Sequence, residues 1–331
     1  MASSSSMDDV ILFCHSSTYQ LGEQVADIAR NRPSGKKIDF RKDVQWKKFP
    51  DGYPNLFIQN IEDCVGKNVV FLGSFHSPEV VFEQISLLYV LPRSSIRSLT
   101  FILPYFPTGT MERVDTEGQV ATAYTMARML SAIPLSAMGP AKIVIYDIHA
   151  LQERFFFGDN TLPHLSSAIP YFVKEIEKLV LEGEPISIAF PDDGAHKRFQ
   201  KYFTNFPIVR CIKRRNGSLR EVSIVDGSPQ ERHVIVVDDL IMTGGTMRKC
   251  IETLSANGAA KVSAYVTHPV FPQDSWKKFT HNGCLENLVK LDTFWITDSI
   301  PHANEISNHQ PFKLLSLAWS VHDVLQNIVQ H

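Results

Sequence analysis

The sequence predicts an α/β protein built from two similar domains, each a mainly parallel sheet flanked by helices. Three observations lead to this fold class. The chain has 331 residues, which corresponds to about two domains of ordinary size. Continuous runs of Val, Ile, Leu and Phe, typical of strands buried on both faces, alternate with segments of helical periodicity. A strand followed by acidic residues and then by a helix occurs in each half of the chain.

Short apolar runs, from VILFCH near the start to KVSAYVT in the second half, are predicted to be strands. Longer segments between them space their apolar residues as helices do, and this alternation favours parallel strands joined by right-handed crossovers. The predicted strands are 10–15, 69–75, 99–106, 142–150, 186–190, 208–212, 233–239 and 261–267. The predicted helices are 78–91, 117–132, 170–182, 243–257 and 311–329.

The first half of the chain is predicted to end, and the second to begin, near residue 155. The last helix is expected to fold back on the first half. Ligands of such sheets lie outside the carboxyl ends of the strands, so we expect the active site in the crevice between the domains. The predicted parts are a disordered tail at 1–9, an N-terminal domain at 10–155 plus 305–331, and a C-terminal domain at 156–304.

Composition excludes several classes of protein. The formal net charge of −2 argues against nucleic-acid binding through bulk positive charge. No apolar run reaches the roughly 18 residues that a membrane-spanning helix needs, so no membrane partner is expected. Five scattered cysteines without a CxxC pair predict neither a disulfide framework nor a zinc site. The start MASSSSMDDV lacks an apolar core and arginine, so the protein is expected to be cytoplasmic.

The segment VIVVDDLIMTGGT at 234–246 is the sharpest functional signal. Glycines let backbone N–H groups converge on an anion, and the N-terminus of the following helix adds a favourable dipole. Thr243 and Thr246 supply hydroxyl donors, while Asp238 and Asp239 suit a pair of sugar hydroxyls or a cation. A tight strand-to-helix turn with an aspartate cap is the structural alternative.

This segment resembles the phosphoribosyl-diphosphate (PRPP) binding signature of type I phosphoribosyltransferases and PRPP synthases. The resemblance spans roughly residues 45–325, with the motifs in the same order. It therefore implies two phosphoribosyltransferase-like domains, the first on the nucleotide side and the second binding ribose 5-phosphate. The segments that favour the synthases are FPDGY at 49–53, PYFP at 104–107, IYDIHA at 145–150, PDDGAHKR at 191–198, IKRR at 212–215 and THPVF at 267–271.

The resemblance implies a Mg²⁺-dependent reaction in which O1 of ribose 5-phosphate attacks the β-phosphorus of ATP. PRPP forms and AMP leaves, and catalysis depends mainly on positioning and charge neutralisation. Asp238 and Asp239 would hold the ribose hydroxyls, and Lys213 and Arg215 would neutralise charge on the β-phosphate. The remaining implied roles are 5-phosphate binding by Thr243, Gly244, Gly245 and Thr246, Mg²⁺ binding by His149 and Asp192, and nucleotide binding by Phe49, Asp51, Tyr53, Thr110, Met111, Arg113 and His149.

Three departures from the commonest pattern resemble the second class of PRPP synthases, found in plants. Thr110 and Met111 stand where an Arg-Gln pair is usual, and Tyr53 replaces a glutamate on the adenine side. Met242 replaces the acid that phosphoribosyltransferases use for base chemistry. The second class implies activity without free phosphate and use of several nucleoside triphosphates. The stretch 108–118 would serve as a flap over the triphosphate.

Two other functions remain alternatives. A phosphoribosyltransferase is opposed by His149, by the cluster at 212–215 and by Met242. A non-catalytic, regulatory relative of the synthases is favoured by the loss of ATP contacts at Thr110 and Met111. The resemblance also implies a homo-oligomer built from dimers.

Overall fold

The computed structural model describes residues 10–32, 35–216, 219–280 and 291–328. The tail predicted at 1–9 lies outside this part of the chain. The chain divides into two compact units: unit 1 comprises Met1–Ser166 and Ser316–His331, and unit 2 comprises Ser167–Leu315. The last segment of the chain thus returns to the first unit.

Both junctions between the units lie later in the chain than the predicted 155/156 and 304/305. Strand pairing is the physical reason. The strand Thr161–Ser166 pairs in parallel with Ala141–Tyr146 and so completes the sheet of unit 1. The strand Phe312–Leu315 likewise pairs with Leu291–Thr297 in the sheet of unit 2.

Unit 1 contains a six-stranded sheet in the order β2-β1-β5-β6-β7-β8, and every neighbouring pair in it is parallel. A separate antiparallel hairpin is formed by β3 and β4. The strands are β1 Val10–Cys14, β2 Ile38–Arg41, β3 Val44–Lys48, β4 Pro54–Ile58, β5 Asn68–Leu72, β6 Ser98–Leu103, β7 Ala141–Tyr146 and β8 Thr161–Ser166.

Unit 2 contains a seven-stranded sheet in the order β11-β10-β9-β12-β13-β14-β15. Only the outermost pair, β10 with β11, is antiparallel. The strands are β9 Ile186–Phe190, β10 Ile208–Asn216, β11 Leu219–Asp226, β12 His233–Ile241, β13 Lys261–Pro269, β14 Leu291–Thr297 and β15 Phe312–Leu315.

Helices join the strands of both sheets, and the last of them packs against the first within unit 1. Among the described residues, no helix is both long and apolar enough to cross a membrane. The α-helices are α1 Tyr19–Arg30, α2 Pro78–Val90, α3 Thr122–Ser131, α4 Ile169–Leu181, α5 Asp193–Phe199, α6 Gly245–Ala256, α7 Ala303–Ile306 and α8 Ala318–Ile328.

The parallel strands follow the same spatial order in both units. Counted along each unit, the parallel strands lie in the order 2-1-3-4-5-6, and unit 2 adds β11 beyond the second of them. The order reverses between β1 and β5 in unit 1 and between β9 and β12 in unit 2. Such a reversal opens a ligand-binding position at the carboxyl ends of the strands.

The predicted α/β class is confirmed, and all eight predicted strands are present. The helix predicted at 311–329 is wrong in its first part, because Phe312–Leu315 pairs as the edge strand β15 and the helix begins at Ala318. Helix α1 was not predicted, although it buries Leu21 and Val25 at helical spacing. The four described cysteines are buried free thiols, namely Cys14, Cys64, Cys211 and Cys250.

Candidate active site

The reversal of strand order in unit 2 places the predicted acidic residues at one edge of the sheet. Strands β9 and β12 are parallel neighbours, with Ala189 opposite Val236. Asp192 follows the end of β9, and Asp238 and Asp239 lie near the end of β12. Carboxyl ends of parallel strands meet at one edge, so these side chains approach one another although they are far apart in sequence.

The two acids of β12 occupy different environments. Asp239 is buried, and its Oδ1 lies 2.9 Å from Nη2 of Arg198 on α5. Asp238 is half-buried, and its Oδ1 accepts the backbone N–H of Asp239 at 2.9 Å. Burial, followed by the neighbouring charges of Asp239 and Asp192, raises the pKa of Asp238 well above its ordinary value, while Arg198 partly opposes the rise. The charges of Asp239 and Asp192 thus both act on Asp238, which favours a cation or hydroxyl donors beside it.

The glycine turn after β12 leaves open space at the start of α6. Gly244 has φ +79°, and a Cβ there would come within 2.4 Å of the Phe279 ring, so only glycine fits. A Cβ at Gly245 would meet no atom within 4 Å. No side chain caps this helix, and its first backbone N–H groups lack acceptors within the helix. The turn therefore presents amide donors to an anion, with Thr243 exposed and Thr246 half-buried beside them.

Asp192 also has a structural role. Its Oδ1 accepts the backbone N–H of Ala195 at 3.0 Å and so caps α5. A carboxylate has several lone pairs, so this bond leaves Asp192 the capacity to bind a metal ion as well. No group of three or more His, Cys, Asp or Glu side chains that could hold a metal is present in the described part of the chain. Mg²⁺ bound through substrate phosphates needs only one or two carboxylates, and Asp192 next to Asp238 meets this requirement.

Lys213 and Arg215 lie on the part of β10 that extends beyond the central sheet. Strand β10 pairs with β9 over Ile208–Arg210 and with β11 from Arg210 to Asn216. The two residues thus belong to a two-stranded arm. Their side chains lie outside the described part of the structure.

In unit 1, a sharp turn after β7 carries His149. Asp147 has φ +37°, which is strained for a residue other than glycine. Strain of this kind concentrates at functional sites. A Cβ at Gly109 would lie 3.5 Å from Cβ of His149, so the turn Gly109–Met111 is next to it. The turn that carries Thr110 and Met111 thus lies close to His149. Arg113 is exposed and lies within 4 Å of carboxylate oxygens of Glu112 and Asp115.

The remaining predicted nucleotide contacts lie on the loop of the β3–β4 hairpin. Asp51 Oδ1 accepts the backbone N–H of Tyr53 at 3.1 Å, so this carboxylate shapes the loop itself. Phe49 and Tyr53 are 50% and 64% exposed. The Tyr53 ring centroid lies 6.3 Å from that of Phe82 on α2. The loop therefore offers two accessible aromatic rings rather than a buried polar pocket.

Three residues in these regions were not predicted individually. Arg198 pairs with Asp239, and Phe279 closes the space behind Gly244. Glu153 is fully buried beside Gly109, and its Oε1 accepts the backbone N–H of Ala150 at 3.1 Å. Alanine has no side-chain acceptor, so Ala150-x-x-Glu153 is not a capping box, and its spacing does not reveal the role of Glu153. Nothing local in the sequence indicates the contact of Phe279.

The family described as the N-terminal domain of ribose phosphate pyrophosphokinase matches residues 10–133, and the phosphoribosyl transferase domain matches residues 177–307. Ribose-phosphate pyrophosphokinase 4 of Oryza sativa subsp. japonica is 54% identical over 86% of this chain and 87% of its own length. The protein of the same name from Arabidopsis thaliana is 50% identical over 91% of this chain and 89% of its own length.

The chain belongs to the ribose-phosphate pyrophosphokinase family. It is therefore an enzyme of the transferase class. A family member from Spinacia oleracea, ribose-phosphate pyrophosphokinase 3, mitochondrial, is 48% identical over 96% of this chain and 76% of its own length. Ribose-phosphate pyrophosphokinase 1 of Streptococcus pyogenes serotype M1 is 29% identical over 88% of each. The chain thus resembles these plant members more than this bacterial one, in agreement with the predicted plant-type class.

The fold of the family is also recognisable in three dimensions. The crystal structure of phosphoribosylpyrophosphate synthetase from Mycobacterium smegmatis has a TM-score of 0.78 to this structure and covers 97% of this chain and 98% of its own. Sequence identity in that comparison is 20%, so the similarity concerns the fold alone.

Proposed function

We propose that this enzyme transfers the β,γ-diphosphoryl group of ATP to O1 of ribose 5-phosphate, giving PRPP and AMP. The observation that carries the proposal is the arrangement at the end of β12, where clustered carboxylates lie next to an open, amide-lined turn. Family membership supplies the reaction class, and this arrangement suits a sugar phosphate. The phosphate would bind the amides of Gly245 and Thr246, and the ribose hydroxyls would donate to Asp238.

Mg²⁺ is the cofactor we propose, with Asp192 and His149 as its protein ligands. The position of Asp192, Asp238 and Asp239 at one edge of the sheet, where the first and third of them act on the charge of Asp238, supports a cation site in unit 2. When bound, the ion would neutralise the charge of the phosphate oxygens. In addition to any metal contact, Asp192 holds the start of α5 in place through its bond to Ala195.

Lys213 and Arg215 are proposed to act on the diphosphoryl group that is transferred. The resemblance implies this role, and both residues lie on the two-stranded β10–β11 arm beyond the central sheet. A planar guanidinium can donate two parallel hydrogen bonds to phosphate oxygens, while an ammonium acts as a point charge. Together they would stabilise charge that develops as the bond to AMP breaks.

The nucleotide is proposed to bind unit 1 through the hairpin loop 49–53 and the turn around Thr110, Met111 and His149. Strong base selection needs buried polar groups matched to one base. The exposure of Phe49 and Tyr53 supports stacking instead, which every base can provide. We therefore infer that several nucleoside triphosphates serve as donors. That free phosphate is not required is implied by the resemblance to the second class.

A homo-oligomer built from dimers and a cytoplasmic location complete the proposal. Two plant relatives carry organelle names, ribose-phosphate pyrophosphokinase 3, chloroplastic, of Oryza sativa subsp. japonica and the mitochondrial form of Spinacia oleracea. The location is checked directly by imaging the full-length protein fused at its C-terminus to a fluorescent reporter.

The deciding experiment measures AMP release from ATP and Mg²⁺, with and without ribose 5-phosphate, in phosphate-free buffer. We expect AMP only when ribose 5-phosphate is present, and PRPP in equal amount. Activity that requires added phosphate would contradict the phosphate-independent class. If no AMP is released either in phosphate-free buffer or after phosphate is added, the non-catalytic, regulatory alternative is favoured. The replacements at Thr110 and Met111 suggest that alternative.

A further inference from the structure

An ion pair between Arg198 and Asp239 connects α5 to β12 at the candidate site. The Nη2–Oδ1 distance is 2.9 Å, and the side chains are only 14% and 3% exposed. The Arg198 guanidinium carbon also lies 4.8 Å from the centroid of the Phe199 ring. A charged pair this well buried is costly to disrupt, so it fixes the two elements relative to each other.

Each residue of this pair is linked to a proposed ligand contact through the element that carries it. The backbone N–H of Asp239 donates to the Asp238 carboxylate at 2.9 Å, so the position of Asp239 determines where that carboxylate lies. Asp192 caps the N-terminus of the helix that carries Arg198. The ion pair therefore connects α5, which Asp192 caps, to the segment of β12 that carries Asp238.

We propose that Arg198 is a positioning residue, which holds the Asp239 carboxylate and thereby keeps the Asp238 carboxylate in place for the ribose hydroxyls. This inference rests on the proposed function. It gives Arg198 an indirect role, in which its guanidinium contacts a side chain of the protein and not the substrate. It also changes the role of Asp239 from a ribose contact to an anchor, because its carboxylate lies against Arg198 and is nearly inaccessible.

The test compares the KM for ribose 5-phosphate with the KM for ATP in Arg198→Met. We expect the KM for ribose 5-phosphate to rise about tenfold, the order expected for a lost charged hydrogen bond, while the KM for ATP stays within about twofold. Arg198→Lys should recover most of the loss, since an ammonium can still donate to the same carboxylate. Asp239→Asn should raise the KM for ribose 5-phosphate about as much as Arg198→Met does, and not more.

Arg210→Met is the matched control. Arg210 also belongs to unit 2 and also pairs with an aspartate, Asp193, at 3.1 Å. That pair is 36% and 55% exposed, so its loss should leave both KM values unchanged. The double variant Arg198→Met/Asp239→Asn removes both charges and so avoids a buried, uncompensated carboxylate. Its melting temperature should be close to that of the wild type, and its KM for ribose 5-phosphate should still be raised.

Several outcomes would overturn the inference. A rise in the KM for ATP alone would make Arg198 a diphosphate contact, and a double variant with a normal KM would reduce the pair to a folding role. If Asp239→Asn raises the KM for ribose 5-phosphate far more than Arg198→Met does, Asp239 contacts ribose itself. Should the wild type release no AMP, the proposed function fails. Calorimetric binding of ribose 5-phosphate to wild type and Arg198→Met then decides the inference separately, and equal affinities would refute it.

Discussion

The two units reverse their strand order in the same way, yet the two reversals differ in chemistry. In unit 2, the turn after β12 leads to Gly245, above which a Cβ would meet no atom within 4 Å. In unit 1, the corresponding turn after β5 contains Gly73, where a Cβ would come within 2.5 Å of Gln84 Oε1. One turn is open to a ligand, and the other is filled by a side chain of its own unit.

The filling of the unit 1 turn is polar and complete in itself. Gln84 is fully buried, accepts the backbone N–H of Ser74 and donates to its carbonyl, both at 2.8 Å. Next to it, Nε2 of buried His15 lies 2.8 Å from Oε1 of Glu83. In unit 2 the backbone amides of the turn are open to an anion. In unit 1 the amide of Ser74 in the corresponding turn already donates to Gln84. Topology therefore creates the position, and the local side chains decide whether a ligand can use it.

The largest expected effect concerns Lys213 on the β10–β11 arm. This arm belongs to unit 2 alone, since β11 has no counterpart in the sheet of unit 1. Lys213→Ala should lower kcat about a hundredfold or more with little change in nucleotide affinity, if Lys213 acts on the transition state. Steady-state kinetics with varied ATP separate the two quantities. Lys178→Ala on α4, an exposed lysine of the same unit, is the control and should behave as wild type. A raised KM with an intact kcat would remove Lys213 from the catalytic residues.

The next effect tests the open and filled turns against each other. Gly245→Ala should leave the melting temperature unchanged, since the new methyl meets no protein atom, but raise the KM for ribose 5-phosphate about tenfold by occupying ligand space. Gln84→Ala should do the reverse. It should lower the melting temperature because buried hydrogen bonds are lost, and leave that KM unchanged.

Gly244→Ala provides the internal standard for this pair, because its φ of +79° and the nearby Phe279 ring predict loss of both stability and binding. If Gly245→Ala binds ribose 5-phosphate like the wild type, the open turn is not the phosphate site. The contrast between the units would then lose its functional meaning.

A smaller effect is expected at the hairpin loop of unit 1, where the candidate contacts are exposed rather than anchored. GTP or CTP should support at least about a tenth of the ATP rate, because Tyr53 offers a ring and no carboxylate to the base. Tyr53→Glu should sharpen the preference for ATP, while Tyr53→Phe should retain the broad selectivity. Strict ATP dependence of the wild type would show that another residue reads the base.

The smallest effect is on stability, and it concerns Asp238. A carboxyl group whose pKa is raised by folding favours the folded state below its unfolded value, near 3.8, and this contribution is lost as the pH rises through the folded pKa. Asp238→Asn should therefore raise the melting temperature at neutral pH by about 2–4 °C, if about 1 kcal/mol is recovered. The gain should shrink on acidification.

Scanning calorimetry between mildly acidic and neutral pH measures this dependence, with the exposed Asp159→Asn as control. A lower melting temperature of Asp238→Asn at neutral pH would mean that the carboxylate stabilises the fold instead of opposing it. The prediction also implies a trade between stability and function, since the same variant should lose affinity for ribose 5-phosphate.

Much of the fold was predictable because it depends on local patterns. Each of β1, β5, β6 and β12 contains a continuous apolar run, namely VILFC, VVFL, FIL and VIVV, as is typical of strands covered on both faces. The misassigned segment Phe312–Leu315 shows where local patterns fail, since an edge strand of four residues next to a helix has no periodicity of its own. Its pairing with β14 decides its structure.

The sequence by itself determined which residues could form the site. Carboxylates near the ends of β9 and β12 and glycines at the start of α6 are local features, because strand ends and helix starts depend on neighbouring residues. Only the tertiary structure decided how those residues are used. It paired Asp239 with Arg198, set Phe279 behind Gly244 and filled the turn of unit 1 with Gln84. Each of these contacts joins residues from different elements, and packing rather than local pattern determines which elements meet.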